Sequence, residues 1–283
     1  MGLEKLSKER REVLEKIARL EREGKFDEAV EEDPPAPELS PEKADYLCER
    51  FSNRCKRRIA NFIADRYFLN LIKKDVLVID GVTGEEHLSA LSDGAIVTSN
   101  HFSAYDNYIV FHCIRKHLPR KYLYKIIREG NYTNFPGLYG FFFRHCNTLP
   151  LSSNRRTMMK FLSATNTLLK RGESILVYPE QEMWWNYRKP RPFKVGGFKM
   201  AYKAGVPVLP IFISMQDDET RLDEHGYPVQ RHTVHILPPI YPDPSLGEKQ
   251  GAEAMMLQAQ KEYREKYEEV YGEPLAYGET AMK

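Results

Sequence analysis

The sequence predicts an α/β domain, a sheet covered by helices, behind a helical N-terminal region. Three observations carry this. From residue 76 onward, short β-rich runs alternate with helical patterns, the signature of strands joined through helices. Gly172 and Gly205 each stand just before such a run, where helix C-terminal caps belong. The chain has 283 residues, 42% hydrophobic and 29% charged, enough to bury a substantial core and too apolar for wholesale disorder.

Residues 3–32 are rich in Glu, Lys, Arg and Leu. Leu3, Leu6, Val13, Ile17 and Leu20 fall at helical spacing, so an amphipathic helix or a hairpin turning at Gly24 is expected over residues 1–33. Asp33-Pro34-Pro35-Ala36-Pro37 reads as a stiff linker. Ser40-Pro41 reads as an N-cap with proline at the first helical position, opening a helix over residues 40–75. That helix carries the basic run Arg54-Cys55-Lys56-Arg57-Arg58, then Ile59, Phe62, Ile63, Tyr67 and Leu71 on one stripe. A catalytic-sized unit follows over residues 76–283. Its expected strands are Val76–Asp80, Ala95–Ser99, Leu123–Ile127, Ser174–Tyr178, Val206–Ile213 and His232–Leu237. Helices are expected near 104–117, 135–146, 154–171 and 196–204, with a charged one over 249–271 closing the chain.

The overall charge of +2 hides an asymmetry. Residues 1–50 hold 10 Lys and Arg against 15 Asp and Glu, net −5, and the other 233 residues hold 32 against 25, net +7. A basic body suits an anionic partner such as a membrane surface, a phosphate ester or an acidic carrier protein. A nucleic-acid role lacks both a recognised motif and a strongly basic stripe. Cys48, Cys55, Cys113 and Cys146 have no metal-ligand spacing and form no disulfide framework, so free thiols and no metal are expected. MGLEKLSKERR has no apolar signal segment, and Leu6 stands where a myristoylation site needs Ser or Thr. The most apolar stretch, Ile59–Ile72, contains Asp65, Arg66 and Asn70, so membrane contact is expected to be peripheral and on the cytoplasmic side.

Candidate chemistry lies in Ser99-Asn100-His101-Phe102-Ser103-Ala104-Tyr105-Asp106, directly after an expected strand. There is no G-x-S-x-G, P-loop, G-x-G-x-x-G or H-E-x-x-H. His101 and Asp106 form an H-x4-D pair. At a strand end and in a first helical turn, the two side chains can meet. The carboxylate would fix the imidazole tautomer, and the second ring nitrogen would take a proton from a hydroxyl. Ser103-x-x-Asp106 also reads as a capping box, a purely structural role for the same carboxylate. The two roles are compatible, because a carboxylate has several acceptor sites.

The segment resembles the first block, N-H-x4-D, of the lysophospholipid acyltransferase family, which includes 1-acyl-sn-glycerol-3-phosphate acyltransferases. Later blocks follow in order. Leu149-Pro150-Leu151 with Asn154-Arg155-Arg156 resembles the second, and Leu176-Val177-Tyr178-Pro179-Glu180 the F-P-E-G-T-R block. Pro192-Phe193-Lys194-x-Gly196-Gly197 and Gly205-Val206-Pro207-Val208-Leu209-Pro210 resemble the last two. The resemblance implies a mixed, mostly parallel sheet flanked by helices and an O-acyltransferase. A fatty acyl group would pass from acyl-CoA or acyl carrier protein, as donor substrate and with no further cofactor, to the hydroxyl of a lysolipid acceptor. His101 would be general base and Asp106 its partner. Glu180 is the matching third-block residue, and Arg155 and Arg156 are the nearest cations to the second block.

The chain departs from the pattern at Ser152-Ser153, in place of the usual Asp-Arg, and at Gln181-Glu182-Met183, in place of Gly-Thr-Arg. Arg188, Arg191 and Lys194 are candidate replacement cations for substrate. Phe141-Phe142-Phe143 and Met183-Trp184-Trp185 are candidates to line an acyl slot or to pack in the core. A thioester or ester hydrolase using the same His–Asp pair, and a lipid-binding module without turnover, are the rival readings.

Overall fold

The computed structural model describes residues 3–31 and 36–278. It opens with α1 (Leu3–Arg22). The helix ends where Gly24 adopts φ +66°, with Lys25 N–H donating to the Leu20 carbonyl at 2.9 Å and Gly24 N–H to that of Glu21 at 3.0 Å. This 6→1 and 5→2 pairing is the closure that glycine after a helix permits. Ile17 and Leu20 bury against Val30 and Trp184. Linker residues Asp33, Pro34 and Pro35 lie outside the described residues.

The expected helix from Ser40 begins only with α2 (Phe51–Lys73). Residues 36–50 instead form a strap tied to the body at Leu39, Pro41 and Tyr46. Leu39 is buried, donates its N–H to Glu129 Oε1 at 2.6 Å and accepts from Thr157 Oγ1 at 2.7 Å. Tyr46 donates its hydroxyl to the Pro150 carbonyl at 2.9 Å. Asp45 then prepares α2, accepting from Asn53 Nδ2 at 2.7 Å and Glu49 N–H at 2.9 Å.

The strands are β1 (Val78–Thr83), β2 (Ile96–Ser99), β3 (Leu123–Ile127), β4 (Thr148–Pro150), β5 (Ser174–Val177), β6 (Val208–Leu222) and β7 (Pro228–Ile236). They form one sheet in the order β1-β7-β6-β2-β5-β3-β4. Only the β6–β7 pair is antiparallel. Every other pairing is parallel, so the sheet is mixed and mostly parallel. The helices after the strap are α3 (Asp106–Ile114), α4 (Glu129–Thr133), α5 (Gly137–His145), α6 (Arg155–Lys170), α7 (Gly196–Ala204) and α8 (Glu248–Tyr271), with a 3₁₀ turn over Glu85–Leu91.

Alternate strand residues feed two cores, as the pleat requires. Ile96, Ile175, Val208 and Phe212 face Phe161, Phe198 and Tyr263 of α6, α7 and α8. Val97, Leu176, Leu209 and Ile211 face Leu88, Ile109 and Phe68. Gly197 lets α7 sit close on β5, since a Cβ there would stand 3.0 Å from Val177 Cγ1.

His235 joins three strands: Nδ1 contacts Thr83 Oγ1 at 3.0 Å and Nε2 contacts Ser214 Oγ at 2.9 Å. Burial pushes its pKa from 6.5 down to about 4. Burial also lowers that of His232. The unfolded chain therefore binds protons that the folded one refuses. Stability should fall as pH drops from about 6.5 to about 4. Urea melts across that window should show a shallower fall for His235→Gln than for the parent.

Candidate active site

Parallel strands β2, β5, β3 and β4 end on one edge of the sheet, and the loops leaving that edge carry the candidate residues. This is where open α/β sheets place their sites. Asn100 anchors the loop after β2. Its Nδ2 donates to the Ile213 carbonyl at 2.9 Å and its Oδ1 accepts from Ile213 N–H at 2.9 Å. The His101 and Phe102 carbonyls accept from Trp184 N–H at 3.1 Å and Asn186 N–H at 3.0 Å. Two loops are thereby stitched side by side.

Asp106, with no exposed side-chain surface, is the first residue of α3. Its Oδ2 lies 2.7 Å from His101 Nδ1 and accepts from Phe102 N–H at 3.1 Å and Ser103 N–H at 3.2 Å. Its Oδ1 accepts the Tyr178 hydroxyl at 2.5 Å. The bond to Ser103 N–H is the reach-back bond of a capping box, although α3 itself starts at Asp106 behind Tyr105, with no side-chain cap bond. Other donors already converge on Asp106, which leaves His101 Nδ1–H to donate and Nε2 to accept. The His101 side chain keeps 21% of its surface. Its ring stacks on that of Tyr178, centroids 3.9 Å apart and planes 13° apart. A buried acceptor, an oriented imidazole and an open Nε2 can accept a proton from a hydroxyl.

A family model described as Acyltransferase matches residues 81–214. Residues 81–214 are an acyltransferase domain. The family implied by the ordered blocks is the family found. No curated protein matches the chain significantly. A similar solved structure is that of the 1-acyl-sn-glycerophosphate (LPA) acyltransferase PlsC from Thermotoga maritima. It is 20% identical at a TM-score of 0.52, covering 82% of this chain and 87% of that one. The likeness is one of fold.

The fold brings Glu180 to the loop after β2, where its Oε2 accepts from His101 N–H at 3.4 Å. Glu180 is otherwise held by Arg191, whose Nη2 and backbone N–H approach it at 3.0 and 3.1 Å. Both residues are buried, and the Arg191 guanidinium lies 4.7 Å above the Trp184 ring. Arg188 and Lys194 point elsewhere: Arg188 pairs with Asp217 at 2.7 Å and Lys194 with Asp27 at 2.5 Å. Arg155 and Arg156 are exposed in the first turn of α6, capped by Asn154, whose side chain accepts from Arg156 and Thr157 N–H. In the sheet order, β5 and β3 lie between β2, which precedes His101, and β4, which precedes these arginines, so the two strand ends are three spacings or roughly 14 Å apart.

The departures from the family pattern have local explanations. Ser152 and Ser153 donate their hydroxyls to Glu129 at 2.6 and 2.9 Å. Glu182 forms an ion pair with Arg128. Trp184 is buried under α1, Trp185 packs on Tyr227, and Phe142 is buried against α2, so these three rings take part in core packing. A polar crevice lined by Tyr46, Arg57, Tyr124 and Arg144 is separate from His101. The residues that reading the sequence overlooked are Asn100, as the clamp on β6, and Tyr178, as a partner of Asp106. The N-H-x4-D and Y-P-E strings contained both, without showing what each touches.

Removing one member of a buried ion pair leaves the other charge uncompensated, at a cost of roughly 3–5 kcal/mol. Arg191→Met should therefore lower unfolding free energy by about that amount in urea titration. Arg155→Met, at an exposed position, should stay within about 0.5 kcal/mol of the parent.

Proposed function

We propose that this acyltransferase moves a fatty acyl group from a thioester donor, acyl-CoA or acyl carrier protein, to the hydroxyl of a lysolipid-type acceptor, with His101 as general base. The observation that carries the reading is the 2.7 Å contact between His101 Nδ1 and a buried Asp106 on the catalytic edge of the sheet. His101 Nε2 takes the acceptor's hydroxyl proton as the oxygen attacks the thioester carbonyl. The tetrahedral intermediate then expels the thiolate, and the proton on Nε2 passes to that sulfur. Asp106 holds the productive tautomer and stabilises the transient imidazolium.

The structural neighbour's acceptor, 1-acyl-sn-glycerophosphate, belongs to the proposed class. Arg155 and Arg156, exposed on the catalytic edge, are the proposed contacts for an anionic group of substrate. Arg188, Arg191 and Lys194 are committed to Asp217, Glu180 and Asp27.

The proposed lipid surface is α2. Among the described residues, no helix is long and apolar enough to cross a membrane. Yet α2 exposes Phe51, Ile59 and Phe62 beside Arg54, Lys56 and Arg58. Basic groups at headgroup level with apolar rings below suit an anionic bilayer. Tyr67, on the same stripe in sequence, packs inward, its hydroxyl 2.8 Å from that of Tyr139.

Palmitoyl-CoA and palmitoyl carrier protein offered with a panel of lysolipids should give acceptor-dependent thiol release. His101→Ala should cut it roughly 10²–10⁴-fold with the melting temperature unchanged. Fatty acid release without any acceptor would select the hydrolase instead, and tight lipid binding without thioester loss the binding module. In flotation, the protein should rise with anionic liposomes at low salt, less at high salt, and less again as Phe62→Glu.

A further inference from the structure

We propose that Tyr178 is a positioning residue that sets the proton affinity of His101 and fixes the plane of its ring. The inference deepens the reading of His101 as base and rests on it. Tyr178 follows β5 directly, and β5 is hydrogen-bonded to β2, the strand that delivers His101. From there its side chain makes two contacts at once. Its ring covers the imidazole face at 3.9 Å, and its hydroxyl reaches Asp106 Oδ1 at 2.5 Å. The other oxygen of that carboxylate holds His101 Nδ1. Imidazole, carboxylate and phenol therefore close a three-membered arrangement in which every contact constrains the other two.

The two contacts act on the base in opposite senses. The hydroxyl withdraws charge from Asp106, which weakens its pull on the imidazole proton and favours neutral His101. The π face favours the charged imidazolium that follows proton abstraction. Burial first, and then the Asp106 charge, hold the phenol's pKa well above its usual value, so Tyr178 remains a donor. The stacked ring also restrains Nε2 to one plane, and the Asp106 contact at Nδ1 sets its direction within that plane.

The test is the titration of His101 in protein labelled with ¹⁵N-histidine, assigned by comparison with His101→Gln. Tyr178→Phe keeps the ring and removes the donor, and should raise His101's proton affinity roughly threefold or more. 3-Fluorotyrosine at 178, a stronger donor of nearly the same shape, should shift it the opposite way. Tyr178→Leu removes both contacts and should lower kcat with KM little changed. A His101 titration that stays put in both the Phe and the fluorotyrosine proteins overturns the proposal. If Tyr178→Phe fails to fold, the fluorotyrosine protein decides alone. If the midpoint moves as described while the acid limb of the rate profile does not follow, Tyr178's role stands and His101 is not the base. The magnetic resonance readout needs no turnover, so it separates the two claims.

Discussion

Everything in the candidate site depends on one buried carboxylate. Asp106 has no exposed surface, yet it accepts from an imidazole, two backbone N–H groups and a phenol. A buried charge persists only where hydrogen bonds replace its water. Those donors come from the β2 loop and the end of β5, and Asp106 itself opens α3, so the carboxylate locks three pieces of chain together. The same bonds that make its burial tolerable leave His101 with one tautomer and one orientation. Stability and chemistry are here two consequences of one electrostatic requirement.

The topology supplies the setting. Because β2 and β5 run parallel and adjacent, their outgoing loops emerge side by side, and residues 77 positions apart in sequence, His101 and Tyr178, can stack face to face. Glu180 and Arg191 form a second buried pair behind this layer, with His101 N–H tying the two together at 3.4 Å. The antiparallel β6–β7 pair matters differently. Asn100 grips β6 at Ile213, so the strand beside β2 braces the His101 loop from the other side.

How far the sequence revealed this follows from the range of each interaction. Leu123–Ile127 and the helix over 196–204 were legible to the residue, since their apolar patterns and a capping glycine are local. His101 and Asp106 were legible because five positions span their contact. The strands β6 and β7 run beyond the apolar runs that announced them. Their outer halves, around Asp217, Asp218 and Gln230, pair in register but face solvent and leave no hydrophobic signal. The segment at 40–50 looked helical because Ser-Pro and alternating charge mimic a helix start. The Leu39 backbone just before it is instead captured by Glu129, Ser152 and Thr157, and the Pro41 carbonyl by Lys160, partners that only the fold brings near.

The charge asymmetry shows the same limit more sharply. A basic cluster at 188–194 looks available to an anionic substrate when read along the chain. In the fold, Lys189 meets Glu21 and Lys194 meets Asp27, acids that lie 168 and 167 positions upstream. The acidic N-terminal segment thus answers part of the basic body from within, and Arg10 adds its own cover over Trp185. Net charge by segment is therefore a statement about neighbours before it is one about ligands. Cations left exposed, such as Arg155 and Arg156, carry more weight for recognition than a larger cluster already neutralised at home. That ordering could not be read from composition, because it is decided by which loops the parallel sheet sets beside one another.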